Sequence, residues 1–200
     1  MLPYTYIKLI RLAMTAKILQ PTLLLLVGIF FSLQTLAVQY TTVTDGSWNN
    51  VATWGGAIPP NPVGANDTIN IDHLVILTAD LSIAAGGMVN VNSPNGILDM
   101  TGFRIFNQSN GGGISMGGLN IYGQLIVDYI RNYPFSWVFV EPSGSLFMTG
   151  DFDNLGDVYV SGTLALNNGS FNHRSGDVWI FSGGDIVISN GDFNNYSTIR

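Results

Sequence analysis

Cysteine is absent from the chain. That excludes a disulfide framework, a thiol nucleophile and a Cys-ligated metal. Lysine does not recur after Lys17, and glutamate occurs once, as Glu141. With them go most of the good surface helix formers, so a helical body is excluded too. Positive charge is equally scarce. Beyond Lys17 only Arg104, Arg131, Arg174 and Arg200 remain, against thirteen acidic side chains, twelve of them aspartate, a balance of −9. Binding a polyphosphate needs clustered Lys and Arg, so nucleic acid is not an expected partner. Histidine appears only as His73 and His173. Neither neighbours a G-x-S-x-G serine or a spaced metal-ligand partner, and both read as loop or surface residues. The GGG at 111–113 lacks the Lys-Ser/Thr of a phosphate-binding loop and reads as a turn.

What is present begins with an address. A basic segment through Lys17 leads into TLLLLVGIFFSLQTLA, and Thr35 and Ala37 suit the small positions of a signal-peptidase site before Val38. Residues 1–37 therefore read as a signal peptide, and a start at Met14 would give one of ordinary length. The other reading is an uncleaved anchor, because no charge interrupts the run between Lys17 and Asp45. Export makes the protein secreted or surface-attached. A membrane would be touched only through this segment.

From residue 38 onward, Gly, Asn and Asp punctuate short apolar runs. TINIDHLVIL, LNIYGQLIV, WVFV, DVYV and DVWIF are each about strand length, and several alternate apolar with polar. The chain also repeats itself. SGSLFMTGDFDNLGDVYV begins at 143, SGTLALNNGSFNHRSGDVWIF at 161 and SGGDIVISNGDFNNYSTIR at 182. Self-similarity at so short a period, with two or three short strands per unit, predicts an all-β, right-handed parallel β-helix over 38–200, its repeats clearest over 143–200. Stacked coils should bring Phe152, Phe171 and Phe193 into an internal ladder of offset-stacked rings. Gly150, Gly169 and Gly191 should be corners that need a positive φ.

The repeats also align carboxylates. Asp157 and Asp177 each follow Gly and precede a Val-aromatic pair, and Asp151 and Asp153 lie just before. The simplest reading is turn chemistry, each aspartate bonding its own backbone. The functional reading is a calcium site at Asp151, Asp153, Asp157 and Asp177, since hard oxygen ligands on rigid loops suit that ion. The EF-hand pattern itself fails, because Leu155 takes a ligand place and no Glu follows at the twelfth position. No other cofactor is implied.

One segment is more individual: DGSWNNVATWGGAIPPNPVGANDTINIDHLVIL, residues 45–77. It resembles the opening of the G8 domain, a glycine-rich all-β module, and the N-terminal segment of large secreted bacterial β-helix surface proteins. The resemblance rests on Trp48, Thr53 to Gly56, Ile58 to Pro60, Asp67 before TINI, and His73 before LVIL. Asn66 and Asp72 stand where the family pattern has glycine. The resemblance implies an N-terminal cap over 45–77 and an extracellular role with polysaccharide or another cell-surface ligand. It carries over no catalytic residue.

Two function classes result. The first is a non-catalytic extracellular or cell-surface protein used for adhesion or glycan contact, as the N-terminal part of a longer protein. The second is a β-helical polysaccharide lyase or glycoside hydrolase. There the aspartates would hold calcium or act as acid and base, and Arg131 or Arg174 would engage an acidic sugar. Carboxylate pairs such as Asp151 with Asp153, or Asp177 with Asp185, are the imaginable acid and base.

Overall fold

The structure is a computed structural model that describes residues 37–108 and 117–200. Residues 1–36 of the 1–37 segment read as a signal peptide, and the GGG at 111–113 read as a turn, lie outside the described residues. The described chain is a parallel β-solenoid whose coils run along three faces. The first face is an eight-stranded parallel sheet. It runs Gln39–Thr41, Thr68–Ile71, Met88–Val91, Gly118–Ile121, Trp137–Val140, Asp157–Val160, Asp177–Ile180 and Thr198–Ile199. The second face includes Leu74–Ile76, Ser145–Met148, Thr163–Asn167 and Asp185–Ser189. The third includes Leu81–Ile83, Phe152–Asn154, Phe171–His173 and Phe193–Asn195. Two long strands, Ile97–Asn107 and Gln124–Asn132, bend across the second and third faces.

Register fixes the coil length. Trp137 pairs with Asp157, Val158 with Val178, and Asp177 with Thr198, so these coils are nearly equal in length. Two coils are about half as long again. Gln39 pairs with Thr68, and Met88 with Gly118. The first surplus is the Trp- and Pro-rich segment, which includes a short 3-10 turn at Val51–Trp54. Trp48 and Trp54 are buried there, packed edge to face at 5.1 Å, and the Trp54 indole donates to the Trp48 carbonyl. Asn66 adopts a φ of 68°. Asparagine tolerates that left-handed conformation better than most residues.

Alternation along each strand builds the core. Ile69, Val89, Leu119, Val138, Val158 and Val178 follow one another at successive coils on the first face, all fully buried. Leu98, Leu125, Leu146 and Leu164 do the same on the second. On the third face Leu81, Ile105, Ile130, Phe152 and Phe171 form one ladder that Phe193 continues. The predicted phenylalanine column is therefore present, but its geometry differs from offset stacking. Phe152 and Phe171 meet edge to face at 5.0 Å and 74°, the alternative favoured arrangement for two ring quadrupoles.

The glycines before that column do something else than expected. None of Gly150, Gly169 and Gly191 has a positive φ. A Cβ on Gly169 would run into the backbone of Gly150, and one on Gly191 into the backbone of Gly169. Close stacking of coil on coil, rather than a left-handed corner, demands glycine here.

Beside the phenylalanine column runs a buried polar one. Asn107, Asn132, Asn154 and His173 occupy successive coils and are all fully buried. The Asn107 amide donates to Asn132 Oδ1 at 2.9 Å, Asn132 to Asn154 Oδ1 at 2.8 Å, and Asn154 meets His173 Nδ1 at 3.0 Å. The same amides also reach corner carbonyls, including those of Trp137, Asp157 and Gly156. This overturns the reading of His173 as a loop or surface residue. Its Nε2 lies 3.0 Å from the Thr198 carbonyl, which can only accept, so the proton sits on Nε2 and Nδ1 accepts from Asn154. The imidazole ends a ladder of amides.

Candidate functional site

The outer surface of the first face changes character partway along. In the coils that begin at Thr68, Met88 and Gly118, one outward position holds Asn70, Asn90 and Asn120, joined by amide hydrogen bonds of 2.9 and 3.0 Å. The same position then holds Phe139, Tyr159 and Trp179. Trp137 marks the changeover. Its indole lies over Gly118, the one residue that leaves room for it, and donates to Asn120 Oδ1 at 3.1 Å.

The rings after that point form a patch. Phe139 and Tyr159 are 5.3 Å apart at 21°, and Phe181 lies 6.4 Å from the first and 6.5 Å from the second, again nearly parallel. Three parallel rings in a column would separate the outer two by roughly 10 Å at strand spacing. A triangle with sides this short means that they lie beside one another like shingles. Phe181 is 43% exposed, and Phe139, Tyr159 and Trp179 are half-buried. The Arg200 guanidinium covers the Trp179 ring at 4.9 Å.

Two of the sequence-derived site residues border this patch. Asp157 opens the strand of Tyr159, and Asp177 the strand of Trp179. Asp157 Oδ1 accepts the backbone N–H of Asp177 at 3.0 Å, and Asp177 pairs with Arg200 at 3.7 Å. The expected turn chemistry is therefore replaced by a bond to the next coil. Burial, and then the charges of Asp157 and Asp177, push the Tyr159 phenol above its ordinary range. Both carboxylates thus act on the patch.

Asp151 and Asp153 lie elsewhere. Asp151 Oδ1 accepts the N–H of Ser170 in the next coil at 2.8 Å. Asp153, on the third face, accepts from the Tyr129 hydroxyl at 2.9 Å and from the Asn172 amide at 3.0 Å, and pairs with Arg174 at 3.8 Å. The four aspartates proposed for calcium thus fall into two groups on different faces. Among the described residues no three His, Asp or Glu side chains converge. Asp185 opens a strand of the second face, away from Asp177 on the first. The arginines are engaged as well. Arg174 holds Asp153, and Arg131 stacks on Tyr133 at 5.2 Å.

Sequence reasoning missed the patch, although its signal was available. WVFV, DVYV and DVWIF each place an aromatic at the third position of a strand whose second position is a buried valine. Alternation alone puts those rings outside. No family model, no characterised protein and no solved structure matches this chain.

Proposed function

We propose that this β-solenoid is a non-catalytic extracellular or cell-surface protein that contacts neutral polysaccharide through the aromatic patch of its first face. The observation that carries the reading is the change from an asparagine ladder to aromatic rings at one outward position, where Phe139 and Tyr159 shingle with the exposed Phe181. Monomeric proteins seldom expose contiguous apolar surface without a partner for it. Pyranose rings offer flat C–H faces that pack on aromatic faces, whose quadrupole is negative. The Asp157 and Asp177 carboxylates at the border accept hydrogen bonds from sugar hydroxyls, and with the body's balance of −9 they disfavour uronic or sulfated chains. Adhesion, the G8-like resemblance and export belong to the same reading.

Affinity electrophoresis tests it. The protein should be retarded in gels containing a neutral polysaccharide such as xylan, mannan or soluble cellulose. Tyr159→Ala with Trp179→Ala should restore its free mobility without unfolding it. Retardation that survives the double variant would remove the patch from the proposal. A rise in absorbance from unsaturated products on uronic-acid polymers would replace it with the lyase reading.

A further inference from the structure

A second surface feature lies at the other end of the solenoid, on the corner between the first and second faces. A cleft of about 540 Å³ is lined there by Asp45, His73, Leu74, Pro94, Asn95 and Ile97. These residues come from three successive coils, so stacking alone assembles it.

The polar groups of the cleft are fixed by hydrogen bonds behind them. Thr42, itself buried, accepts the backbone N–H of Asp72 at 2.9 Å, and its hydroxyl lies 3.2 Å from His73 Nδ1. His73 Nε2 has no protein partner among the described residues. Asp45 is held by one oxygen. Its Oδ1 accepts the Leu74 N–H at 2.9 Å, and Oδ2 has no hydrogen-bond partner among the described residues. The Asn95 amide has no partner among the described residues either. The cleft thus offers one imidazole, one carboxylate and one amide beside the apolar Leu74, Ile97 and Pro94.

We propose that this cleft binds one or two neutral sugar units, independently of the aromatic patch. The donor set selects the chemistry. A carboxylate beside an imidazole and an amide matches neighbouring hydroxyls that both donate and accept, while the apolar residues match the C–H face of a pyranose. Its size lies within the usual range for small-ligand sites. An anionic sugar meets Asp45 with no Arg or Lys in the lining, and a purely apolar ligand would leave three polar groups unpaired.

Saturation-transfer NMR and calorimetry on the purified chain, with methyl glucoside, galactoside, mannoside and N-acetylglucosaminide and with glucuronate, test the site. At least one neutral glycoside should bind with a dissociation constant on the order of 1 mM, and glucuronate at least about tenfold more weakly. Asp45→Asn keeps the acceptor for Leu74 N–H but removes the charge. It should weaken binding about tenfold with unchanged melting, a difference of about 1.4 kcal/mol, and Asn95→Ala should weaken it severalfold. Tyr159→Ala should leave it unchanged. Failure of every neutral glycoside to bind, or full binding by the Asp45→Asn, Asn95→Ala double variant, would overturn the proposal. Loss of binding in Tyr159→Ala would also overturn it, by moving these sugars to the patch.

Discussion

The coil running from Asp157 to His173 and the one from Asp177 to Asn195 share much of their sequence, yet they differ in burial at almost every inward position. Phe171 is fully buried, while its register partner Phe193 is 39% exposed. Leu164 and Leu166 are in the core, while Ile186 and Ile188 are only packed against it. Val160 is buried and its partner Ile180 is 40% exposed. The difference is one of neighbours: among the described residues the first coil is flanked by a coil on each side, and beyond the second lies the strand Thr198–Ile199. In a solenoid each coil contacts only the next, so a residue's contribution is set by both flanking coils as much as by its own identity.

Substitutions can sharpen or break that comparison, and the phenylalanines should give the largest effect. Phe171→Ala removes a ring enclosed by Phe152 and Phe193 and should cost about 3–5 kcal/mol in urea unfolding, whereas Phe193→Ala should cost less than half as much. Equal losses would mean that the two coils are equally enclosed in solution.

The polar column should show the same gradient at smaller scale. His173→Leu leaves one N–H of the buried Asn154 amide without its acceptor, and about 1–3 kcal/mol should be lost. His173→Asn, which continues the amide ladder, should recover part of it. Asn195, the next member, is exposed and bonds only the nearby Ser197 N–H, so Asn195→Leu should change stability by less than about 0.5 kcal/mol. A large loss at Asn195 would break the comparison.

Tyrosine titration separates the outer surfaces. Burial first, and then the hydrogen bond and charge of Asp153, push the Tyr129 phenol up to about 12, with Arg131 opposing. Because the folded value is raised above the unfolded one, this contribution to stability is fully present below pH 10 and is lost as pH rises through about 12. Absorbance at alkaline pH should lose its highest step in Tyr129→Phe, and that step should fall to lower pH in Asp153→Asn. An unchanged titration in Asp153→Asn would exclude that carboxylate as a cause.

Calcium should have the smallest effect. Asp177 faces Arg200, so an ion bridging Asp157 and Asp177 would have to displace a cation already in place. Millimolar calcium should raise the melting temperature by no more than about 2 °C, by mass action on the folded state. Arg200→Gln should enlarge that rise, and Asp157→Asn with Asp177→Asn should abolish it. A large rise that persists in the double variant would place calcium at some other site.

The letters of the chain were enough to specify the solenoid. Missing helix formers, alternating short runs and a short, nearly constant repeat left stacked parallel coils as the economical way to bury the apolar face, and Phe152, Phe171 and Phe193 fell on one ladder because register follows the repeat. What they could not specify depends on which atoms meet across coils. The close approach behind Gly169 and Gly191, the burial of His173 at the end of an amide ladder and the bond from Asp157 to the Asp177 amide all join one coil to the next. The aromatic patch and the His73 cleft exist only once three coils are stacked. Sequence determines which face of a strand a residue takes, through the alternation of successive side chains. Tertiary structure decides what that face touches, because every such contact is made with a different turn of the solenoid.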